Sequence, residues 1–187
     1  MDRRIKYTKK IIKETFFELI SEKDIKKITV SEICAKADIN RATFYRYYLD
    51  VFDLLDSIKK EFEDELKAAY MPKDESEKTV KHFSKAMLEV FLEHKKLVKL
   101  LFNTNNGLYF LNNILEIAYM RCKEKWEKDL PNISEEDMEY ASIFIFNGAL
   151  GVINFWVQND FDKDINEISE IIETLSYYGT KKYIYKK

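Results

Sequence analysis

Residues 29 to 48 read TVSEICAKADINRATFYRYY, and the fold of the chain is decided there. Thr29 is placed to cap a helix, and Glu32 can return a bond to the cap's own N–H, so T-V-S-E forms a capping box. Ile28 before the cap and Ile33 in the first turns are spaced as a hydrophobic staple. Val30, Ile33, Cys34 and Ala37 then follow the i, i+3, i+4, i+7 spacing of one buried face, leaving Ser31, Glu32, Lys36 and Asp38 to point away. Asp38-Ile39-Asn40 supplies a turn, because Asp tolerates a left-handed backbone and Asn40 is a strong cap for a second helix. On a helical wheel Phe44 and Tyr48 face inward, Ala42 and Arg46 lie roughly opposite, and Thr43 and Tyr45 occupy the flanks. The outward face is small, polar and cationic. Such a face can enter a major groove, where Arg reaches both acceptors of a guanine and a small side chain lies against a thymine methyl. Helix-turn-helix geometry also occurs in all-α proteins that bind no DNA, so geometry alone leaves both readings open.

The full string narrows the choice. ADINRATFYRYY (37–48) followed by LDVFDLL (49–55) resembles the helix-turn-helix signature of the TetR family of transcriptional regulators, with Thr43-Phe44-Tyr45 at its centre. The resemblance runs over about residues 8 to 55 and is architectural beyond. It implies that Arg41, Ala42 and Arg46 face base edges. Thr43, Tyr45 and Tyr47 are then expected to hold phosphates or support base contacts, with Asn40 capping the helix that carries them and Thr29 touching the backbone. The sequence departs from the pattern twice: Asp38 stands where relatives usually have Gly, and Val51 where they usually have a phosphate-holding Lys. The second departure implies one backbone contact fewer and a lower affinity or salt dependence.

Upstream, MDRRIK is a short basic segment, and Arg3, Arg4 and Lys6 read either as an arm along phosphates or a minor groove or as a disordered terminus. A helix is predicted from about Tyr7 to Ser21, with Ile12, Phe16, Leu19 and Ile20 packing on Ile33, Cys34 and Phe44. Downstream, Leu49 to about Tyr70 reads as a longer helix whose Phe52, Leu55, Ile58, Lys59 and Phe62 positions alternate core and surface. It serves as a strut and ends at Pro72 and the polar run 73–76. These features give a DNA-binding head over 1–50 and a helical effector-binding and dimerisation body over 51–187. No flexible linker separates them.

Composition agrees with an all-α fold. The 187 residues hold 46% hydrophobic and 14% aromatic side chains but only 4 Gly and 2 Pro, enough apolar content for a substantial core and few helix breakers. Net charge is −2, unevenly spread: residues 1–50 carry 12 Lys and Arg against 8 Asp and Glu, and the remainder 19 against 25. A basic head on an acidic body is the asymmetry expected if only the head meets a polyanion. Cys34 and Cys122 are isolated and read as core thiols, and no signal segment opens the sequence, so the expected location is the cytoplasm.

In the body, helices are predicted near 75–95, 96–103, 107–129, 135–158 and 164–179, with breaks at 103–107, 131–134 and 158–160. The uncharged run ASIFIFNGALGVINFWV (141–157) has 17 residues, short for a membrane span, and contains Ser142, Asn147 and Asn154; a buried helix is the better reading. Ala149, Val152, Ile153 and Trp156 form one stripe there, and Ile165, Ile168, Ile172 and Leu175 another in the last helix. Gly148 and Gly151 would let a second backbone come close. The two stripes predict a four-helix seam between two copies of the chain, and the TetR resemblance implies the same homodimer. Two heads would then meet half-sites about 34–36 Å apart, or a multiple of that, on double-stranded DNA.

Phe83, Met87, Phe91, Phe102, Phe110, Tyr119, Trp126 and Phe146 are candidates to line an apolar effector pocket, the alternative being ordinary core. TetR-like regulators hold an effector in that region, and a ligand shifts their DNA affinity only if it prefers one state. The stretch NGALGVINFWVQNDF with INEISEII is similar to a TetR subgroup that includes activators of dihydroxyacetone kinase operons, which implies a protein partner as the alternative to a small molecule. No enzyme is expected, nor any cofactor or metal: His82 and His94 belong to no metal spacing, and G-x-S-x-G, P-loop and C-x-x-C motifs do not occur. The expected function is a homodimeric operator-binding regulator, a repressor released by an effector. The alternative is an interaction module whose body recruits another protein.

Overall fold

The computed structural model describes residues 3–69, 79–103, 119–120, 123, 126–128 and 133–184, and no strand occurs among them. The elements are α1 (Arg3–Glu22), a 3₁₀ turn (Ile25–Lys27), α2 (Val30–Lys36), α3 (Arg41–Tyr45), α4 (Val51–Ala69), α5 (Val80–Glu93), α6 (Lys95–Phe102), α7 (Glu135–Gln158) and α8 (Ile165–Ile184). Residues 119, 120, 123 and 126–128 are also helical. The chain is all-α, as its composition predicts. Pro72, the run 73–76, the breaks at 104–107 and 131–132, most of the expected helix 107–129, Phe110 and Cys122 lie outside the described residues.

Two compact units divide after Phe62, inside α4. In the first unit, α1 packs on α2 and α2 on α3. Ile12, Phe16, Ile33 and Phe44 are fully buried at their meeting point, with Leu19, Ile28, Cys34, Ala37 and Tyr48 around them. Burying side chains of this size contributes roughly 1.5–3 kcal/mol each. One correction arises here. The segment from Arg3 onward is not a disordered terminus but the first turn of α1, which therefore starts four residues before the expected Tyr7. In α4 the buried stripe is Val51, Leu54, Ile58 and Phe62, followed by Leu66, and of the positions expected to alternate between core and surface Phe52 is on the surface at 52% exposure. Asp50 caps α4 by accepting from the N–H groups of Phe52 and Asp53, and Asp53 accepts in turn from Leu49 N–H.

In the second unit, α8 packs along both α5 and α7, and α6 packs on α5 and α7. Thr79 caps α5 and Ser134 caps α7. The Tyr183 hydroxyl donates to Asp137 Oδ1 at 2.6 Å, tying the end of α8 to the start of α7, so the two run antiparallel. Between them the chain turns through Asp160 and Phe161, both left-handed at φ 61° and 60°. Phe161 closes this corner by meeting the Trp156 ring edge-on at 4.9 Å, and Trp156 Nε1–H donates to the Lys163 carbonyl at 3.0 Å. By length and composition α7 could cross a membrane. In the fold its Met138, Ala141, Ile145, Phe146, Ile153, Trp156 and Val157 are buried against neighbouring helices.

The eight residues expected at a subunit seam divide differently from the prediction. Ile153, Trp156, Ile168 and Ile172 are buried in the chain's own core, with Ala149 nearly so; Val152 and Ile165 are half-buried, and Leu175 alone is mostly exposed. The stripe is real, but its neighbours within the chain consume most of it. The uncovered apolar surface of α7 and α8 is instead Tyr140, Ile143, Phe144, Phe155, Leu175, Tyr177 and Tyr178.

Candidate nucleic-acid interface

The turn between α2 and α3 folds as its residues dictate. Thr29 Oγ1 accepts from Glu32 N–H, and the Glu32 carboxylate accepts from Thr29 N–H, completing the capping box. Asp38 takes the left-handed conformation at φ 52°. Asn40 Oδ1 then accepts from both the N–H and the hydroxyl of Thr43, at 2.7 and 2.9 Å, and α3 begins.

With Phe44 at 0% and Tyr48 at 2% exposure, α3 is pinned from behind. Their rings tilt against each other at 5.7 Å between centroids. Asn40, Arg41, Ala42, Tyr45 and Arg46 are exposed and Thr43 and Tyr47 half-exposed; of these, Asn40, Thr43, Arg46 and Tyr47 come together in one cleft, whereas Arg41, Ala42 and Tyr45 do not line it. Thr29 is also exposed, one helix earlier. Arg46 stands at the C-cap of α3, its N–H returned to the Ala42 and Phe44 carbonyls.

An open cleft of about 700 Å³ runs over this surface, lined by Arg4, Ile5, Thr8, Asp38, Ile39, Asn40, Thr43, Arg46 and Tyr47. It brings Arg4 of α1 into the same concavity as Arg46. Ile5 and Thr8 were not anticipated. The signal was present, since Ile5 continues the Ile12–Phe16–Leu19 stripe towards the N-terminus at helical spacing. Lys9 Nζ lies 5.8 Å from the Tyr47 ring centre and 5.9 Å from that of Tyr48, holding a cation at the edge of the surface.

Acidic groups here are mostly engaged. Lys23 Nζ sits 2.5 Å from Glu32 Oε1, and with the two Thr29 bonds this lowers the Glu32 carboxyl to about 2. Lys36 bridges Glu18 and Glu22 at 3.2 and 3.4 Å, which raises its own ammonium. Burial pushes the Cys34 thiol up, as befits a core thiol. Cationic side chains, hydroxyls and one amide on a rigidly backed short helix can hold phosphates and read base edges.

Two family models match the chain: "Bacterial regulatory proteins, tetR family" over residues 12–56 and "Transcriptional regulator C-terminal region" over residues 78–178. The chain belongs to the TetR family of transcriptional regulators. A curated relative, the uncharacterized HTH-type transcriptional regulator YxbF of Bacillus subtilis, is 37% identical over 59 residues; the match covers 31% of this chain and 16% of the relative's length. Among solved structures, the dihydroxyacetone kinase operon activator DhaS is 19% identical with a TM-score of 0.67, covering 93% of this chain and 96% of its own. The SmeT–triclosan complex is 16% identical with a TM-score of 0.66, covering 92% and 91%. At these identities the solved structures establish a shared fold: a helix-turn-helix head followed by a helical body.

The expected effector-pocket residues sit in the TetR body as follows. Phe83, Met87, Phe91, Phe102 and Phe146 are buried, while Tyr119 and Trp126 are half-exposed. Phe91 meets Phe102 edge-on at 6.2 Å, and Tyr119 and Trp126 each lie 6.2 Å from Phe146. They thus form two aromatic clusters. Two open grooves, of about 500 and 300 Å³, lie elsewhere, along α7 and α8 on either side of the Phe144 ring.

Proposed function

We propose that the protein acts in the cytoplasm as a homodimer on a palindromic operator, each subunit presenting the exposed face of α3 to a major groove. The observation that carries this reading is the opposition on one short helix of fully buried Phe44 and Tyr48 against exposed Arg41, Ala42 and Arg46. Arg46 reads a base edge; Arg41 and Ala42 lie beside it; Thr29, Thr43, Tyr45 and Tyr47 hold the backbone, with Asn40 fixing the helix start.

Pairing uses the outer face of α7 and α8, where Ile143, Phe144, Phe155 and Tyr178 are exposed. A Cβ added at Gly148 or Gly151 would meet nothing within 4 Å among the described residues, which suits the approach of a second backbone. An uncovered apolar face of this extent on a soluble regulator is best accounted for by a partner subunit.

The sign of regulation follows family usage: repression, relieved by an effector that favours the DNA-free state. SmeT, solved with triclosan, and DhaS, named as an activator, are the two kinds of precedent among structural relatives. A protein partner acting on the body, with the head in a lesser role, is the second reading, favoured by the exposed tyrosines Tyr177 and Tyr178 of α8.

The test is a fluorescence-anisotropy titration with DNA flanking the protein's own gene, at two salt concentrations, beside light scattering of the free protein. Sequence-selective, salt-sensitive binding by a dimer is expected. A monomer with no selectivity at either salt overturns the reading.

A further inference from the structure

Glu65, Glu93 and His94 converge in the second unit, and none of them lines the head cleft or the α7–α8 grooves. Glu65 stands on the last turns of α4, Glu93 ends α5, and His94 is the single residue between α5 and α6. One donor atom from each lies within 4.8 Å of the other two. His94 Nε2 and Glu65 Oε2 are 2.5 Å apart, within hydrogen-bonding reach. Lys95, next in the chain, directs its ammonium over the Phe161 ring at 4.8 Å from its centre.

We propose that Glu65, Glu93 and His94 bind a divalent transition ion of the zinc type. One imidazole nitrogen with two carboxylate oxygens is a donor set that suits zinc with water in the fourth position, whereas magnesium and calcium favour all-oxygen sets. Two carboxylates balance the ion's charge. Bonds of about 2.0–2.2 Å in a tetrahedron place donors roughly 3.3–3.5 Å apart. The ion therefore takes the place of the direct His94–Glu65 contact, that pair opens by about 1 Å, and the Glu93 carboxylate swings in. Glu65 and Glu93 are exposed and His94 half-exposed, so these shifts need only side-chain rotation and leave the ion reachable from solvent. Bound there, the ion ties α4 to the α5–α6 corner. No spacing in the sequence announces such a site, because Glu65 comes from a different helix.

The experiment is isothermal titration of the full-length, tag-free protein with zinc chloride, with magnesium chloride as control and thermal unfolding followed in parallel. One zinc per subunit, a raised melting temperature and no response to magnesium are expected. His94→Ala and Glu93→Gln should each weaken zinc binding at least tenfold while leaving the circular dichroism spectrum of the metal-free protein unchanged. A cobalt titration provides the second readout: the visible band of the wild type should be lost in His94→Ala. Absence of zinc binding, or zinc and cobalt signals that survive in both variants, overturns the proposal. The titration is read without DNA, so its outcome is independent of operator recognition.

Discussion

Glu32 Oε2 accepts from both the N–H and the hydroxyl of Thr29, each at 2.9 Å, while Lys23 holds the other carboxylate oxygen at 2.5 Å. In the free protein both Thr29 donors rest on Glu32 Oε2, so a phosphate held at Thr29 must share them with Glu32 or draw them from it. The Lys23 and Thr29 bonds depress the Glu32 carboxyl from 4.5 to about 2, so its contribution to stability is fully present above pH 4.5 and is lost as pH falls towards 2. Glu32→Ala should therefore lower the urea midpoint at pH 7. The gap to wild type should shrink at pH 3 and close near pH 2; a gap independent of pH would show that the carboxylate charge is not the cause.

Tyr48 presents the opposite case. Its ring is buried and, among the described residues, its hydroxyl has no hydrogen-bond partner. Burial first, then Glu61 and Asp53, push it up to about 12. Between pH 10 and 12 the unfolded chain loses this proton and the folded one keeps it, so stability falls as pH rises through that window. Tyr48→Phe removes an unsatisfied polar atom and should leave the protein equally stable, or more stable by up to about 1 kcal/mol, at pH 7. It should also delay alkaline unfolding. Urea melts at pH 7 and 10.5 measure both.

Asp38 places a carboxylate in the head cleft and a non-glycine residue at φ 52°. Asp38→Asn keeps the tolerance for that backbone and removes the charge, and should tighten operator binding several-fold at low salt. Asp38→Gly should give the same gain, with a change in stability of about 1 kcal/mol or less, because relief of strain and added chain entropy oppose each other. Anisotropy titrations of the two variants separate charge from conformation.

Arg46→Ala should cost about 1–3 kcal/mol of discrimination against a wrong base pair at one position in each half-site, with little loss of non-specific binding. Arg46→Lys should recover only part of it, since an ammonium cannot make the planar two-point contact. Competition titrations with single-base operator variants report the difference.

Phe144 is 58% exposed in the subunit and lies between the two grooves of the α7–α8 face, so Phe144→Glu should leave helicity intact while moving the protein from dimer to monomer in light scattering. Unchanged mass would place the subunit contact elsewhere.

The head was largely legible because its signals are local: the Thr29 and Asn40 caps, the left-handed Asp38 and the Phe44/Tyr48 pair each depend on residues within a few positions. Elsewhere the deciding contact lies further off. Val51 reads in the sequence as a missing cation, and its burial beside Leu54 and Ile58 is set by the packing of α4. In α7, apolar residues surround the helix on every side, so periodicity cannot say which face α8 and α6 will take. They take Ile153 and Trp156 and leave Ile143, Phe144 and Phe155 outside. Phe161 was passed over because it follows a helix end; its role is set by Trp156, folded back over it. Glu65 beside His94 is likewise a product of tertiary packing alone.

Val51 has one more consequence. A side chain sealed in the core at 5% exposure takes no part in displacing ions condensed on DNA. Each phosphate contact forgone flattens the dependence of binding on salt by about 0.9 in logarithmic slope, and the proposed pair of subunits would forgo two. Such a regulator would hold DNA less tightly than a lysine-bearing relative in dilute salt, and the gap between the two would close as salt is added.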